Sequence, residues 1–221
     1  MATQITVLFD NEAEHDGLES GWGLSYHISH DGVQLLFDAG WDGDQVLHNA
    51  DRLGIDLRAT SALVVSHMHW DHAGGIPRLL RHLPPLPVYL PAGGGRHQRE
   101  EIARRAQTIE VSSPQDIVPG VISTGPLGED PPEQSLLIEA PEGIALVTGC
   151  AHPGVPQLLE RAEALGPVCA LIGGLHGFAD LAALEPISLL GPGHCTQRKM
   201  EIRQTFPAQT VACGAGATIM L

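Results

Sequence analysis

The stretch Ser66-His-Met-His-Trp-Asp-His-Ala-Gly-Gly75 crowds His67, His69, Asp71 and His72 together directly after the apolar run Ala62-Leu63-Val64-Val65. The run reads as a buried strand, so the polar cluster is delivered at a strand's C-terminal end. His67 and His69, two residues apart, can approach one ion where the backbone turns. Asp71 and His72 follow at the entrance to the next helix, where they can reach a neighbouring position. Imidazole and carboxylate are ordinary ligands for Zn²⁺ and also for iron or manganese.

The cluster is complemented by three later histidines in turns. His152 follows the strand-like segment 145–148, His176 follows 168–172 through Gly173-Gly174, and His194 follows 187–190. Each sits where a strand ends and a flexible turn can aim a side chain at a common rim. Ordinary polar contacts in one turn would not explain that repetition.

The rest of the chain reads as short apolar strands separated by Gly, Pro and Asp-rich turns, with a few helices between them. Strands are expected at 4–9, 24–30 and 33–37, the last two joined by Asp31-Gly32, a pair suited to a type I′ hairpin because both positions tolerate positive φ. A helix is expected over 44–53, capped by Asp42, with Val46, Leu47, Ala50 and Leu53 on one side. Further helices are expected at 76–83, 96–105, 154–165, near 180–184 and at 196–205. Further strands are expected at 88–90, 135–138, 144–147, 168–172, 187–190 and within 210–221. No internal repeat or low-complexity linker divides the 221 residues, so one α/β domain spanning 1–221 is expected.

The segment His67-Met-His69-Trp-Asp71-His72 has the form HxHxDH, and with it the chain resembles the metallo-β-lactamase fold superfamily over essentially its whole length. The resemblance implies a four-layer αββα sandwich with a di-metal centre on one edge. It implies His67, His69 and His152 around a first ion, and Asp71, His72 and His194 around a second. In most members an aspartate between the last two histidines joins the ions, whereas this chain offers His176 there. Metal contact, a hydrogen bond or proton for the substrate, and a structural role are all open for His176. Asp38, between a buried strand and Ala39-Gly40, is expected either to accept a ligand histidine's N–H, fixing the ring's tautomer, or to cap a turn.

A closer likeness runs through separated segments, among them Leu36-Phe37-Asp38-Ala39-Gly40, Thr148-Gly-Cys-Ala-His-Pro-Gly154, Ile172-Gly-Gly-Leu-His176 and Gly193-His-Cys-Thr196. These look like the branch named for 7,8-dihydropterin-6-ylmethyl-4-(β-D-ribofuranosyl)aminobenzene 5′-phosphate synthase. The expected activity is that of a metal-dependent hydrolase acting on a small phosphodiester, ester or lactone-like substrate through a metal-bound hydroxide, with Asp71 orienting the nucleophile and His176 assisting. One or two divalent ions are expected, zinc first, with iron or manganese also compatible. A pterin-related transferase or condensing enzyme that releases diphosphate is the alternative enzyme. A non-enzymatic metal or ligand sensor is the third reading.

Charge narrows the partners. With 26 Asp and Glu against 12 Lys and Arg, the net charge of -14 disfavours nucleic acid and anionic membranes, leaving a small-molecule substrate. Cys150, Cys169, Cys195 and Cys213 show no CxxC spacing, so neither a disulfide framework nor a zinc ribbon is expected. Cys150 and Cys195 read first as small buried residues, and second as thiolates within reach of metal or substrate. No signal-peptide pattern opens the chain and no apolar run is long enough to span a bilayer, so the cytoplasm is the expected location. The acidic segment 11–22 reads as a mobile rim loop carrying His15 and Trp22. Pro91-Ala-Gly-Gly-Gly95 lacks the GxxxxGK[ST] pattern of a nucleotide loop, although Arg96 and His97 beside it could meet an anionic group.

Overall fold

Asp31 and Gly32 both adopt positive φ, 46° and 85°, and turn β2 (Ser25–His30) back along β3 (Val33–Phe37) with His30 opposite Val33. The computed structural model describes residues 2–221. β1 (Thr3–Phe9) pairs antiparallel with β2, and β13 (Thr218–Met220) adds to its other side. After β3 the chain crosses over helices and continues in parallel. α1 (Gly43–Arg52) leads to β4 (Thr60–Val64), and α2 (Trp70–Ala73) with α3 (Ile76–Leu79) leads to β5 (Pro87–Pro91). α4 (Arg96–Ala103) then leads to β6 (Gln107–Val111). The resulting sheet has the order β13-β1-β2-β3-β4-β5-β6.

The second sheet begins with β7 (Gln115–Val118) and β8 (Val121–Ser123), then the hairpin β9 (Leu136–Ala140) and β10 (Gly143–Thr148). α5 (Val155–Glu163) crosses to β11 (Val168–Gly173), β12 (Leu189–Pro192) follows, and α6 (Lys199–Thr205) returns the chain towards β13. The order is β12-β11-β10-β9-β8-β7, with β10, β11 and β12 parallel.

Period-two alternation divides each strand between two cores. In β4, Ala62 and Val64 face the opposite sheet, while Leu63 packs outward among Val46, Ala50, Ile76 and Leu79 of the helices. In β10, Ala145 and Val147 face inward, and Ile144 and Leu146 pack on Val155, Leu158 and Ala162 of α5. The central cluster runs from Ile5 to Ile219 and draws on both sheets. The fold is thus a four-layer αββα sandwich. Each fully buried aliphatic side chain contributes roughly 1.5–3 kcal/mol to holding the layers together.

Three departures from the sequence reading have local causes. β6, β7 and β8 occupy 107–123, where no strand was expected, because Gln107-Thr-Ile-Glu-Val and Gln115-Asp-Ile-Val carry few apolar residues and bury little more than Val111 and Ile117. α6 begins at Lys199 instead of 196, since the Thr196 hydroxyl accepts the Leu175 N–H at 3.0 Å and donates to Gly193 O at 2.7 Å. The regular helix after the motif stops at Leu79, with turns continuing to Leu83 before Pro84-Pro85.

The parallel pairs β3/β4 and β10/β11/β12 bring their C-terminal ends to one edge of the sandwich. Asp38, the Ser66–His72 turn, the Cys150–His152 turn, His176 and His194 each follow one of these ends.

Candidate metal centre

Asp38, Ala151, His176 and His194 all adopt left-handed backbone with φ between 45° and 61°; among the described non-glycine residues only Asp31 of the hairpin does the same. Such conformations are costly for residues with a Cβ and persist where surrounding bonds impose them. Here those bonds are visible.

Around the HxHxDH turn, Asp38 is fully buried. Its Oδ1 accepts the Ser66 N–H at 2.6 Å, its Oδ2 accepts the Ser66 hydroxyl at 2.7 Å, and the same Oδ2 lies 2.7 Å from His72 Nδ1. Ser66 Oγ, having spent its proton on Asp38, can accept from His67 Nδ1 at 2.9 Å. The turn is also stitched to the second sheet, because Gln134 donates its backbone N–H to Ser66 O and its side-chain amide to Val65 O.

Glu133, fully buried just before β9, organises the His152 turn. Its Oε1 accepts the N–H groups of Gly149, Cys150 and Ala151 at 2.8–3.1 Å, and its Oε2 accepts the N–H of His152 at 2.9 Å and His152 Nδ1 at 2.8 Å. Burial opposes ionisation, yet the His152 ring and backbone donors and the nearby His67 hold this carboxylate far below its usual range. A Cβ at Gly149 would run into Ser66 Oγ, so only glycine lets the two turns approach this closely.

His194 is held by the two residues that follow β1. Asp10 Oδ2 accepts its N–H at 2.7 Å, Asn11 Oδ1 lies 2.9 Å from Nδ1, and Asn11 Nδ2 donates to the His194 carbonyl at 3.2 Å. Asn11 therefore opens the acidic segment as an anchor. The segment is fastened again at Glu19, whose N–H and carbonyl both bond the buried Asn49 side chain at 2.7 Å.

The consequence is a common orientation. His72, His152 and His194 each present Nδ1 to a carboxylate or amide oxygen and His67 presents it to a hydroxyl, so with Nδ1 as the donor each Nε2 is left with a lone pair directed away from its anchor. His72 Nε2 and His194 Nε2 face each other at 3.2 Å, and Asp71 Oδ2 lies 3.7 Å from the first and 3.4 Å from the second. His67 Nε2 lies 3.0 Å from His69 Nδ1, and the His152 ring centroid is 4.5 Å from that of His67 and 4.9 Å from that of His69. Electron-pair donors converging in this way, with the His67, His72, His152 and His194 rings fixed from behind, fit a divalent cation.

The ionisation preferences match. Burial first and the neighbouring His72 second push the His67 ring far below the ordinary imidazole value. Burial and His194 push His72 down to about 3. Burial drives the Asp38 carboxyl well up against the two bonds from Ser66, so positive charge on the far side of His72 would be needed to keep Asp38 ionised and the proton on Nδ1. Asp71 is the opposite case. Burial disfavours its charge, but the His194 hydrogen bond and the charge of His72 more than offset that and hold it far below the usual range.

His176 stands apart from the Asp71, His72 and His194 group. Its ring packs on His152, with centroids 4.7 Å apart, and it is half-buried on the open side with His152 and the exposed His69. His69 also lines a cavity of about 140 Å³ together with Met68, Gly93–Gly95, Gln98 and Asp130–Pro132. The glycine loop at 91–95 is thus a wall of the site. Arg96 beside it points to solvent and pairs with Glu100. The exposed indole of Trp22 covers His194, with ring centroids 5.3 Å apart.

Nothing in the sequence around Glu133, Asp10 and Asn11 marks them as part of a site. Their local contexts are a Pro-rich loop and the end of a strand, and only the packing of the two sheet edges gives them partners.

Residues 23–189 match the model of the metallo-beta-lactamase superfamily. The chain is 23% identical to the 7,8-dihydropterin-6-methyl-4-(beta-D-ribofuranosyl)-aminobenzene-5'-phosphate synthase of Methanocaldococcus jannaschii, covering 81% of this chain and 82% of that protein. Among solved structures it is similar to Tm1679, a metal-dependent hydrolase of the beta-lactamase superfamily, with a TM-score of 0.80 and 25% identity over 98% of both chains. A diphosphatase of the PhnP family shares the fold at a TM-score of 0.68 and 15% identity, over 98% of this chain and 97% of the other. The family match takes in the HxHxDH turn, the Glu133-anchored His152 turn and His176, and the chain belongs to the metallo-β-lactamase superfamily.

Proposed function

We propose that the protein is a metal-dependent hydrolase acting on a small phosphodiester, ester or lactone-like substrate. The observation that carries the reading is the convergence of the His72 and His194 Nε2 atoms and Asp71 Oδ2, with each ring anchored through Nδ1. His67, His69 and His152 would hold one ion, and Asp71, His72 and His194 a second. The nitrogen and carboxylate set favours zinc, and iron or manganese fit the same donors. A divalent ion, when bound, supplies Lewis-acid polarisation of a substrate oxygen and a lowered pKa for water.

The chain's own residues do the rest. Asp71 stays ionised and can accept a hydrogen bond from an attacking water, fixing its direction. His176, on the open side against His152, is the residue we assign to proton transfer at the substrate's leaving oxygen. Met68, Pro131 and Pro132 wall the cavity beside His69 and limit it to a small group. No described helix is long and apolar enough to cross a membrane.

Turnover of phosphodiester, ester and lactone probes by zinc-loaded protein in heavy-oxygen water tests the reading. Incorporation of solvent oxygen into product is expected, and its loss in Asp71→Asn ties it to this centre. Metal-loaded protein that turns over none of the three classes would sink it. The similarity to a pterin-related synthase across about four-fifths of both chains supports a second reading, condensation with loss of diphosphate. An amine-linked product with free diphosphate, and no solvent oxygen in the product, would favour that reaction.

A further inference from the structure

The turn that carries His152 also carries a thiol with an unusual set of neighbours. Cys150 is 3% exposed, and its position is fixed by the bond from its N–H to Glu133 Oε1 at 2.8 Å. Its Sγ lies 3.2 Å from His72 Nε2. The sulfur falls within 4.8 Å of a ring nitrogen of His67 and of His152 in one group and of His72 and of His194 in another. It is the side chain common to both groups.

We propose that Cys150 is a metal ligand shared between the two histidine sets, its sulfur standing between them where this chain lacks the superfamily's common bridging aspartate. The inference rests on the metal centre proposed above. The distances support it around the second position. Tetrahedral zinc with bonds of about 2.0–2.1 Å to nitrogen and about 2.3 Å to sulfur places its ligand atoms roughly 3.3–3.6 Å apart. The separations are 3.2 Å for His72 Nε2 to His194 Nε2, 3.2 Å for Cys150 Sγ to His72 Nε2, and 3.7 and 3.4 Å from Asp71 Oδ2 to the His72 and His194 nitrogens. These four separations lie near that range, and the sulfur is also within 4.8 Å of a ring nitrogen of His194.

The other candidates for the bridge are less well placed. His176 packs on His152 and shares a donor group only with the two thiols. Cys195 Sγ is turned towards the Cys150 carbonyl, 3.8 Å away, and shares no group with the histidines of the HxHxDH turn. A Cβ at Gly174 would strike Cys195 Sγ, so the backbone there is shaped around the second thiol without grouping it with the nitrogens of the HxHxDH turn. Binding breaks the Cys150 S–H bond and forms a metal–sulfur bond, with the proton released to solvent.

Cobalt(II) titration of the chelator-stripped protein tests the assignment. Visible ligand-field bands report how many ions bind, and a near-ultraviolet sulfur-to-cobalt charge-transfer band reports thiolate ligation. Two equivalents and a strong charge-transfer band are expected for the wild type. Cys150→Ser should lose the band and bind its second equivalent about 10–100-fold more weakly, Cys195→Ser should keep it, and Cys150→Asp should restore two-ion binding without it. Cobalt binding without the charge-transfer band overturns the proposal and leaves the metal centre intact, as does a band that survives Cys150→Ser. Failure to bind cobalt overturns both. Should the variants not fold, X-ray absorption of the zinc-loaded wild type decides, through a sulfur scatterer at about 2.3 Å or its absence.

Discussion

Glu133 and Asp38 do the same work from opposite sheets, each a fully buried carboxylate that fixes a turn and the ring of a histidine within it. They differ in charge balance. Glu133 is kept ionised by donors already present, so Glu133→Gln turns an amide NH₂ onto N–H groups that need an acceptor. The metal-free protein should lose about 2–3 kcal/mol in urea unfolding, as expected for charge-assisted bonds left unmade. Chelator competition should show metal affinity about 10–100-fold weaker. Unchanged unfolding midpoints would contradict this account of the turn. At position 38 asparagine tolerates the left-handed backbone, φ 61° in the native chain, so Asp38→Asn removes charge with little added strain. The expected outcome is a similar fall in affinity confined to the ion at His72, with the first equivalent bound as in the wild type. Equal weakening of both equivalents would place Asp38's influence elsewhere.

At the scale of elements, turn chemistry and strand ends were the most legible parts of the sequence. The Asp31-Gly32 hairpin and the Asp42 cap rest on local rules, and both form, with Asp42 Oδ1 accepting the Asp44 N–H at 2.9 Å. Because that cap lies on the outer face of the first sheet, Asp42→Ala should cost about 1 kcal/mol in thermal unfolding while cobalt stoichiometry stays unchanged. A change in stoichiometry would show α1 to be coupled to the site. The candidate ligand histidines were legible because each follows an apolar run, and strand ends on one edge converge whatever their distance in sequence. The residues behind them were not, since Asp10, Asn11 and Glu133 acquire partners only when β1, β9 and the turns after β10 and β12 meet. The segment 107–123 escaped for a different reason. Its strands are short and pair at sheet edges, and alternation over four or five residues is a weak signal.

For the whole molecule, the centre joins the C-terminal strand ends of two sheets whose shared core lies elsewhere, so metal should act on stability through linkage while the fold persists without it. An ion present at 100 times its dissociation constant adds roughly 2.7 kcal/mol. Removing it leaves His67, His69, His72 and His176 in surroundings that lower their affinity for protons, in each case through burial first and neighbouring histidines next. The unfolded chain titrates these rings near 6.5, the folded chain at lower pH. Below about pH 6.5 the unfolded state therefore binds more protons, and stability falls as pH falls. Asp38 and Asp10, raised by burial, act in the opposite sense, because the folded state holds their protons more tightly; they are outnumbered by the imidazoles over this range. The urea midpoint of the metal-free protein should thus be highest above pH 7 and drop progressively towards pH 5. The metal-loaded protein should show a steeper loss once protons compete for its ligands. A metal-free midpoint that is flat or rises on acidification would mean that the histidines are not held neutral by the fold. The convergence of their Nε2 lone pairs would then need another explanation.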